Sequence, residues 1–446
     1  MLDLTSTMKI AKSYLFDRDL TRKLGRERIK KYQDKALKKV VECAFKTKFY
    51  REKYREKGLN PSDIKGLEDI DKLPIVTRDD FVKASPNDLL PETINVKKIF
   101  QASTSGSTGQ PLVVWNDTYT ALRCLQGFAE ELSEHGVNWR KDKITIIGDF
   151  SPGGPENAYL TNTFFSGLNL FFNTKNFQTL DVKEDALSLM QKISRFKPDF
   201  IGGYPPMLKG LAFLKKNGYG ETVKPKCIAT SGTLLDKKTR DFIEEAFNVK
   251  LFDVYSSTEA GTVAFQCREG RYHVHSELVH VELLGRDGEP VDYGERGSVV
   301  VTRLYGEATP VLRYIGMNDT AKNVEVDCVC GRETPLISEI EGRRCDPVFT
   351  LDGRILSPFY FTSIICSYVK KGLNVERFQI VQNSLDEMEI LVAVESNQWE
   401  TYKKHFEGIE KDFKYKLGEH VEIKIKQVKK LENNVPVVLS KVEGLK

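Results

Sequence analysis

A regular alternation of short apolar strands and amphipathic helices between residues 143 and 261 limits the fold of this chain more than any other feature. KITIIGDF at 143–150 is a compact apolar strand, and similar runs at 226–231 and 250–257 are each preceded by a helical pattern. Strands that alternate with helices form parallel sheets with helices on both faces. The pattern therefore predicts an α/β fold built on a mainly parallel sheet.

Loops rich in Gly, Pro, Ser and Thr follow these strands: SPGGP at 151–155, GGYPP at 202–206, TSGT at 230–233 and YSSTEAG at 255–261. Ligands of parallel α/β sheets bind beyond the carboxyl ends of the strands. We therefore expect a binding site at the edge where these four loops meet.

The pattern changes twice after the parallel region. From Tyr272 short alternating strands with Gly-rich turns predict a small antiparallel sheet or barrel, a β subdomain at about 270–340. From residue 342 strands and helices predict a compact α+β unit. We expect two domains, an N-terminal one over 1–341 and a smaller one over 342–446.

Upstream, residues 17–57 read as helix, Thr77 is placed to cap a short helix, and 117–136 is a further helix. Residues 158–172 read as a helix followed by a strand. These segments add helices around the predicted sheet.

The stretch TSGSTGQP at 104–111 lies between two strand-like runs, 97–103 and 112–115. Its glycines allow a backbone nest of N–H groups, and its hydroxyls add donors, a combination that suits a polyphosphate. It is not a P-loop, because Gln110 stands where that motif has Lys. An ordinary hairpin turn is the alternative interpretation.

The charge balance is nearly even, with 67 Lys and Arg against 63 Asp and Glu and a net charge of +4, which argues against a nucleic-acid-binding protein. No apolar run has the length of a membrane span, and no signal peptide is apparent. We therefore expect a cytoplasmic protein whose eight cysteines are free thiols or metal ligands.

Five segments in order resemble the phenylacetate–coenzyme A ligase branch of the adenylate-forming enzymes, including its relatives in capsule biosynthesis. They are AFKTKFYREKYREKGLNPSDIKGLEDIDKLPIVTRDDF at 44–81, STSGSTGQPL at 103–112, VYSSTEAG at 254–261, GERGSVVVTRLYGEATPVLRY at 294–314 and CVCGRETPLISEIEGRRCD at 328–346. The resemblance implies two steps. A carboxylate attacks the α-phosphorus of ATP to give an acyl-adenylate and pyrophosphate, and a thiol, usually that of coenzyme A, then takes the acyl group.

The resemblance also implies roles for residues of the nucleotide site. Glu259 would hold Mg²⁺, which prefers oxygen ligands and phosphate bridging. Thr258 would donate to the α-phosphate, and Tyr255, next to Ser256, would stack on the adenine. The phosphate loop would consist of Ser103, Ser105, Gly106, Ser107, Thr108 and Gly109.

Four positions depart from the family pattern. Ser231, Gly232 and Thr233 correspond to a segment along the adenine that usually reads Ser-Gly-Glu. The acid expected to bind both ribose hydroxyls falls by count on Asn318; we favour Asp319, because a carboxylate accepts from both. The four residues that differ from the family pattern are Gln110, Thr233, Asn318 and Cys345.

Arg343 resembles the family arginine ahead of the hinge, and the hinge acid falls on Cys345 or Asp346. The family's C-terminal unit is a mobile lid that carries one catalytic lysine a few residues after a proline. Lys441, five residues after Pro436, matches it, although Ser440 replaces the usual Gly. A lysine on a frayed tail is the alternative. Rotation of the lid would remove the lysine after the first step.

A structural zinc site is implied by two further segments that are similar to cysteine-containing segments of the family. The ligands would be Cys267, His273, Cys328 and Cys330, three thiolates and an imidazole in a closed tetrahedral site. His275 competes with His273, and Cys345 is a spare candidate. Unlinked polar side chains on strands are the alternative.

The acyl pocket is expected near the SPGGP and GGYPP loops, with Phe150, Gly153, Gly154, Tyr204 and Pro205 as its residues. By analogy the substrate is an aryl or other small carboxylate, activated with ATP and passed to coenzyme A. Alternatives are transfer to a carrier-protein thiol or a sugar, and a nucleotide-binding regulator without chemistry. The acid, the acceptor and the oligomeric state, a homodimer included, are left open.

Overall fold

The computed structural model describes residues 25–103, 112–150, 154, 156–157, 174–325, 327–342, 345–395, 398–432 and 435–442. Its helices are α1 Arg26–Ala44, α2 Lys48–Glu56, α3 Arg78–Lys83, α4 Thr118–Glu134, α5 Ala186–Phe196, α6 Pro205–Lys216, α7 Lys237–Phe247, α8 Pro358–Lys370 and α9 Lys403–Leu417. Its strands are β1 Ile99–Ser103, β2 Val113–Asp117, β3 Ile144–Gly148, β4 Phe177–Asp181, β5 Phe200–Gly203, β6 Cys227–Ser231, β7 Leu251–Ser257, β8 Gly261–Gln266, β9 Tyr272–Val274, β10 Val279–Leu284, β11 Arg296–Arg303, β12 Thr320–Val324, β13 Leu336–Glu341, β14 Val348–Phe349, β15 Ile355–Leu356, β16 Arg377–Gln382, β17 Glu387–Ala393, β18 Glu422–Val428 and β19 Val438–Ser440.

Eleven strands form one sheet in the order β10-β11-β12-β13-β9-β8-β7-β6-β5-β3-β4. The strands β3 to β7 run parallel to one another. At β8 the chain turns back on β7, and from there the pairings are antiparallel. The α/β fold class is confirmed. The antiparallel strands extend the parallel sheet instead of closing into a sheet of their own, because the 257–261 hairpin keeps β8 hydrogen-bonded to β7.

Helices cover both faces of the parallel part. Phe200 packs in a cluster with Leu132 and Phe128 of α4, whereas its neighbour Ile201 packs with α5, α6 and α7. Successive residues of a strand point to opposite faces. The helix α4 therefore lies on one face of the sheet, and α5 to α7 lie on the other.

The N-terminal helical region is divided where a side chain caps the chain. The predicted helix over 17–57 is two helices in the described part, because Thr47 accepts a hydrogen bond from Tyr50 N and starts α2 afresh. The cap expected at Thr77 is confirmed, since its side chain accepts from Asp80 N at the start of α3. The predicted unit at 158–172 lies outside the described residues.

The C-terminal region has a core of its own. A four-stranded sheet, ordered β18-β17-β16-β19, packs with α8 and α9 around Phe361, Ile390 and Phe413. The chain enters this region beside β19, where Asp346 N donates to Val438 O at 2.9 Å. This core lies on the C-terminal side of the boundary that we predict near residue 342.

None of the helices in the described ranges combines the length and the apolar character that a membrane crossing requires.

Candidate active site

A cavity of about 410 Å³ lies beyond the carboxyl ends of β3, β5, β6 and β7. It is the edge of the sheet at which the sequence predicts a binding site. Residues from the loops at 202–206, 230–233 and 255–261 line the cavity. Predicted site residues on its wall are Tyr204, Ser231, Gly232, Thr233, Tyr255, Ser256, Thr258, Glu259 and Asp319.

One end of the cavity is rich in hydroxyls. The hydroxyl of Tyr255 donates to Asp319 Oδ2 at 2.8 Å, and the hydroxyls of Ser231 and Ser256 are 2.8 Å apart. Asp319 lines the cavity, whereas Asn318 adopts φ 57° and donates to Gly316 O at 3.4 Å. Of the two candidates that the sequence leaves, Asp319 therefore lies at the cavity and Asn318 does not, among the described lining residues.

Gly232 lies against an aromatic ring at this end. Its φ is +83°, and a Cβ at this position would lie 2.2 Å from Cε1 of Tyr204. The glycine is therefore required both by the backbone conformation and by the ring. Next to it, the hydroxyl of Thr233 is buried and has no hydrogen-bond partner among the described residues.

Glu259 lies at the far end of the β7 loop and is only 4% exposed. Its Oε1 accepts from the hydroxyl of Tyr314 at 2.9 Å, and Arg78 Nη1 lies 3.9 Å from the same oxygen. Arg303 holds the loop in place by donating to Glu259 O at 3.1 Å and to Asn116 Oδ1 at 2.9 Å. The sequence analysis missed Arg78, Arg303 and Tyr314, whose contacts with Glu259 join residues far apart in the chain.

The hairpin β1–β2 flanks the predicted phosphate loop. Ser103 pairs with Val113, so two strands frame the loop as the sequence indicates. The predicted residues within it, Ser105, Gly106, Ser107, Thr108 and Gly109, lie outside the described residues, as do Gly153 and Arg343. Asn116, through Arg303, connects this hairpin to the Glu259 loop.

The other end of the cavity is apolar and differs from the predicted acyl pocket. Of the predicted residues only Tyr204 lines the cavity; Phe150, Gly154 and Pro205, all described, do not. Gly154 turns back onto the backbone of Asp149, and Pro205 is buried in the first turn of α6. The described wall consists instead of Cys124, Leu125, Phe128, Ile146, Phe177 and Phe200, with Glu131 at its edge.

Three of these residues belong to one face of α4. Cys124, Phe128 and Glu131 are spaced at i, i+4 and i+7, the period of a helix face. That spacing is visible in the sequence, although only the fold shows that this face meets the cavity.

Three carboxyl groups also line the cavity: Glu131 and Asp253 are buried, and Glu156 is half-buried. Burial raises the pKa of Glu156 to about 6, although Tyr204 donates to it at 2.6 Å. Burial also raises the pKa of Asp253, which accepts from Tyr272 at 2.6 Å, and that of Glu131. These acids disfavour a second negative charge in this part of the cavity.

Lys441 contacts residues of the C-terminal region and not the cavity wall in the described part of the chain. Its Nζ donates to Asn383 Oδ1 at 2.8 Å, its backbone N donates to Gln382 O, and it is not among the described residues of the cavity wall. Phe359, in the first turn of α8, does line the cavity and contacts the ring of Tyr204, with ring centroids 4.3 Å apart.

The four predicted zinc ligands lie together. Cys267 Sγ is 3.7 Å from Cys328 Sγ, and Cys330 Sγ is 3.3 Å from His273 Nε2. All four ligand atoms lie within 4.8 Å of one another. Zn–S bonds of ~2.3 Å place tetrahedral sulfurs roughly 3.8 Å apart, so the residues fit Zn²⁺. We call these four residues the thiol cluster.

The nitrogen of His273 that faces away from the cluster is 3.1 Å from Thr334 Oγ1, which leaves Nε2 for a metal. His275, the competing candidate, points instead to carboxylates, with Nε2 3.0 Å from Glu131 and Nδ1 2.8 Å from Glu277. Cys345 pairs with Val438 in the C-terminal region and is not in the cluster.

Comparison with known proteins finds relatives over most of the chain. Residues 348–435 match the family model described as CapK C-terminal domain. The chain is 27% identical to a phenylacetate-coenzyme A ligase of Thermus thermophilus, over 83% of this chain and 82% of that protein. It is 22% identical to protein CapK of Staphylococcus aureus, over 79% of this chain and 75% of that protein.

Solved structures of 2-hydroxyisobutyryl-CoA ligase have the same fold. The TM-score is 0.67, at 20% identity, for the complex with 2-HIB-AMP and CoA in the thioesterification state, which covers 94% of this chain and 91% of that one. It is 0.62, at 19% identity, for the postadenylation state with 2-HIB-AMP, with coverage of 94% and 90%.

Proposed function

Because the chain is a homologue of phenylacetate–coenzyme A ligases and of CapK, and has the fold of the adenylate-forming enzymes, we propose that it is an AMP-forming acid–thiol ligase. It joins a carboxylate to AMP with release of pyrophosphate and then transfers the acyl group to coenzyme A. The observation that carries the proposal is that residues of three separated stretches, 231–233, 255–259 and Asp319, line one cavity.

The hydroxyl-rich end binds the nucleotide. The carboxylate of Asp319 accepts from the two ribose hydroxyls and is oriented by the hydroxyl of Tyr255 at 2.8 Å. Thr258 lies on the same wall and donates to the α-phosphate. The unpartnered hydroxyl of Thr233 supplies a hydrogen bond to the base where related chains have a glutamate.

Glu259 is the residue that would hold Mg²⁺, with phosphate oxygens as further ligands. The ion would neutralise charge on the phosphates when bound. The guanidinium of Arg78, 3.9 Å from Glu259, adds a fixed positive charge beside the same phosphates. An attack by one anion on another requires such neutralisation.

The apolar end binds the acid. Leu125, Phe128 and Phe200 surround a compact body, whereas Glu131, Asp253 and Glu156 exclude a second carboxylate. We therefore propose a small monocarboxylic acid with an aryl or branched aliphatic body. Its carboxylate oxygen forms the bond to the α-phosphorus as pyrophosphate leaves.

The C-terminal region, from 345 onward, acts as the lid. In the present arrangement Lys441 binds Asn383 of its own region, and Phe359 closes the cavity beside Tyr204. Because Lys441 is not among the described residues that line the cavity in this arrangement, we assign the arrangement to the second step. In that step the thiol sulfur attacks the acyl carbon and AMP leaves. Rotation then brings Lys441 over the nucleotide for the next first step.

The thiol cluster would hold a structural Zn²⁺ that joins β8 and β9 to the loop before β13. Its four ligands would all be protein side chains, so the role of the ion would be structural and not catalytic.

The acceptor has a second candidate. Residues 348–435 match the CapK C-terminal domain, and this unit would present the acceptor to the acyl-adenylate. Transfer to a carrier-protein thiol or a sugar is therefore the alternative to coenzyme A.

Exchange of labelled pyrophosphate into ATP, measured with a panel of aryl, branched and dicarboxylic acids, tests the first step. We expect exchange with monocarboxylic acids and little with dicarboxylic acids. Lys441→Ala should lower exchange by about 100-fold or more, whereas Lys430→Ala, an exposed lysine of the same region, should not. ATP binding without exchange for any acid would favour the regulator and contradict the proposal.

Thioester formation with coenzyme A, followed by mass, tests the second step. Exchange with a good acid but no thioester would point to the carrier-protein or sugar acceptor.

A further inference from the structure

The last two turns of α4, which bear part of the apolar end of the cavity, are held to the sheet mainly by charged side chains. Glu130, Glu131 and Glu134 project from these turns, and their side chains are at most 11% exposed. The apolar contacts of the same turns come from Phe128 and Leu132. Three carboxylates so close together need buried positive partners.

Arg332 is the first of these partners. Its side chain is 3% exposed, and it donates through Nη1 to Glu130 at 2.5 Å and through Nη2 to Glu134 at 3.0 Å. The guanidinium carbon lies 4.9 Å from the ring centroid of Phe265. The planar fork thus clamps two carboxylates one turn apart, a geometry that Lys cannot reproduce.

His275 is the second partner. Its Nε2 is 3.0 Å from Glu131, its Nδ1 is 2.8 Å from Glu277, and its ring stacks on Phe265 at 4.7 Å. Ligand atoms of Glu130, His275 and Glu277 are close enough for a metal ion. Both ring nitrogens nevertheless face carboxylates as donors, so this group is an ion network and not a metal centre.

The position of Arg332 depends in turn on the thiol cluster. Arg332 follows Cys330 by two residues, in a turn closed by the hydrogen bond from Gly331 N to Cys328 O at 3.1 Å. The turn is otherwise at the surface, since Val329 is 87% exposed. A continuous path of contacts therefore runs from the thiol cluster through Arg332 to α4 and the cavity.

We infer that Arg332 is a positioning residue: anchored by the thiol cluster, it fixes the cavity face of α4 and so sets the shape of the acyl end. The effect on the choice of acid rests on the proposed function. The effect on α4 does not, and the test separates the two.

The thiol of Cys124 reports the position of α4. It lines the cavity, its sulfur is 3.2 Å from the hydroxyl of Tyr305, and burial raises its pKa. Alkylation of Cys124 is followed by peptide mass spectrometry in the protein as purified, in Arg332→Gln and in Arg332→Lys. Cys43, a half-buried thiol of α1 in the same N-terminal region whose Sγ donates to Glu307 O at 3.5 Å, is the internal control for general unfolding.

We expect Arg332→Gln to speed alkylation of Cys124 by about 10-fold, because the clamp on α4 is lost, and to leave the rate at Cys43 unchanged. Arg332→Lys should fall between, and removal of metal with a chelator should act in the same direction as Arg332→Gln. An unchanged rate at Cys124, or equal acceleration at Cys43, would overturn the inference. Arg296→Gln, a half-exposed arginine of β11, is the matched control.

Pyrophosphate exchange supplies the second measurement. For Arg332→Gln we expect the KM for the acid to rise about 10-fold while the KM for ATP stays unchanged, because only the acyl end contains α4. Equal rises in both constants would contradict the role in shaping the acyl end. If the unmodified protein shows no exchange while Cys124 still responds, the proposed function fails and the positioning of α4 by Arg332 stands.

Discussion

His273 lies in β9 and His275 directly follows the end of that strand, yet the two rings have different surroundings. His273 faces the sulfur of Cys330 at 3.3 Å, whereas His275 lies between the carboxylates of Glu131 and Glu277. Both rings are buried. The difference comes from partners distant in sequence, so residue type and spacing alone do not set the role of either histidine.

The side chains around His275 also determine whether its ring is charged. Burial alone would lower the pKa of His275, but the charges and hydrogen bonds of Glu277 and Glu131 outweigh it and raise the pKa to about 10. His275 is therefore a cation at neutral pH. A metal ligand must instead be a neutral imidazole, as the geometry of His273 allows.

Replacing each histidine in turn gives the largest contrast between the two. His273→Gln should lower zinc content from about one equivalent to near zero, because three thiolates are left without the imidazole, while His275→Gln should keep the metal. Elemental analysis of freshly purified protein measures both. Equal zinc content in the two variants, or no zinc in the unmodified protein, would contradict the prediction that His273 is a zinc ligand and His275 is not.

Among these substitutions, His275→Gln should lower the free energy of unfolding most, because it removes a buried cation. His275→Gln leaves Glu131 and Glu277 buried without their positive partner, which should lower the free energy of unfolding by about 3–5 kcal/mol. Urea unfolding measures the change. The double variant His275→Gln with Glu131→Gln should recover part of the loss. A double variant no better than the single one would show that the pair is not coupled.

The same pair should give stability a pH dependence. The pKa of His275 is raised from 6.5 to about 10 on folding, so its stabilisation is complete below about 6.5 and disappears as the pH rises through 10. Between these values the folded state holds one more proton. Stability should therefore fall by about 1.4 kcal/mol per pH unit near pH 8–9.

Near pH 8–9 the free energy of unfolding should fall less steeply with pH for His275→Gln than for the unmodified protein. The difference in slope should be about 1.4 kcal/mol per pH unit. Urea unfolding of both proteins at several pH values supplies the comparison. Parallel slopes would mean that His275 is neutral in the folded protein.

The smallest loss of stability should come from breaking an exposed ion pair, the one between Arg296 and Glu339. Arg296 donates to Glu339 at 3.0 Å, and both side chains are at least 32% exposed. Because solvent screens this pair, Arg296→Gln should cost no more than about 1 kcal/mol. A loss as large as that for His275→Gln would show that burial does not explain the contrast.

The parallel sheet and the place of the site could be predicted because their signals are local. The apolar strand at 143–150, the loop at 255–261 and the cap at Thr77 each depend on residues close together in sequence. The resemblance to family segments also predicted that the four thiol-cluster residues lie together, although it left His273 and His275 as alternatives.

What the sequence left unpredicted depends on tertiary partners. The face of α4 with Cys124 and Phe128 has a clear helical period, but nothing local indicates that it meets the cavity. Arg332 looks like an ordinary surface charge until Glu130 and Glu134, some two hundred residues earlier, come beside it. Of the residues predicted for the acyl pocket, Phe150, Gly154 and Pro205 do not line the cavity in the described part of the chain, whereas Tyr204 does.

The first residues of the C-terminal region lie beside its strand β19. The backbone N–H of Asp346 donates to Val438 O at 2.9 Å, and the Asp346 carboxylate accepts from Ser440 N at 3.2 Å. A region whose first residues are hydrogen-bonded to its own last described strand can be exchanged between relatives as a cassette. The place to join such chimeras is just before Asp346.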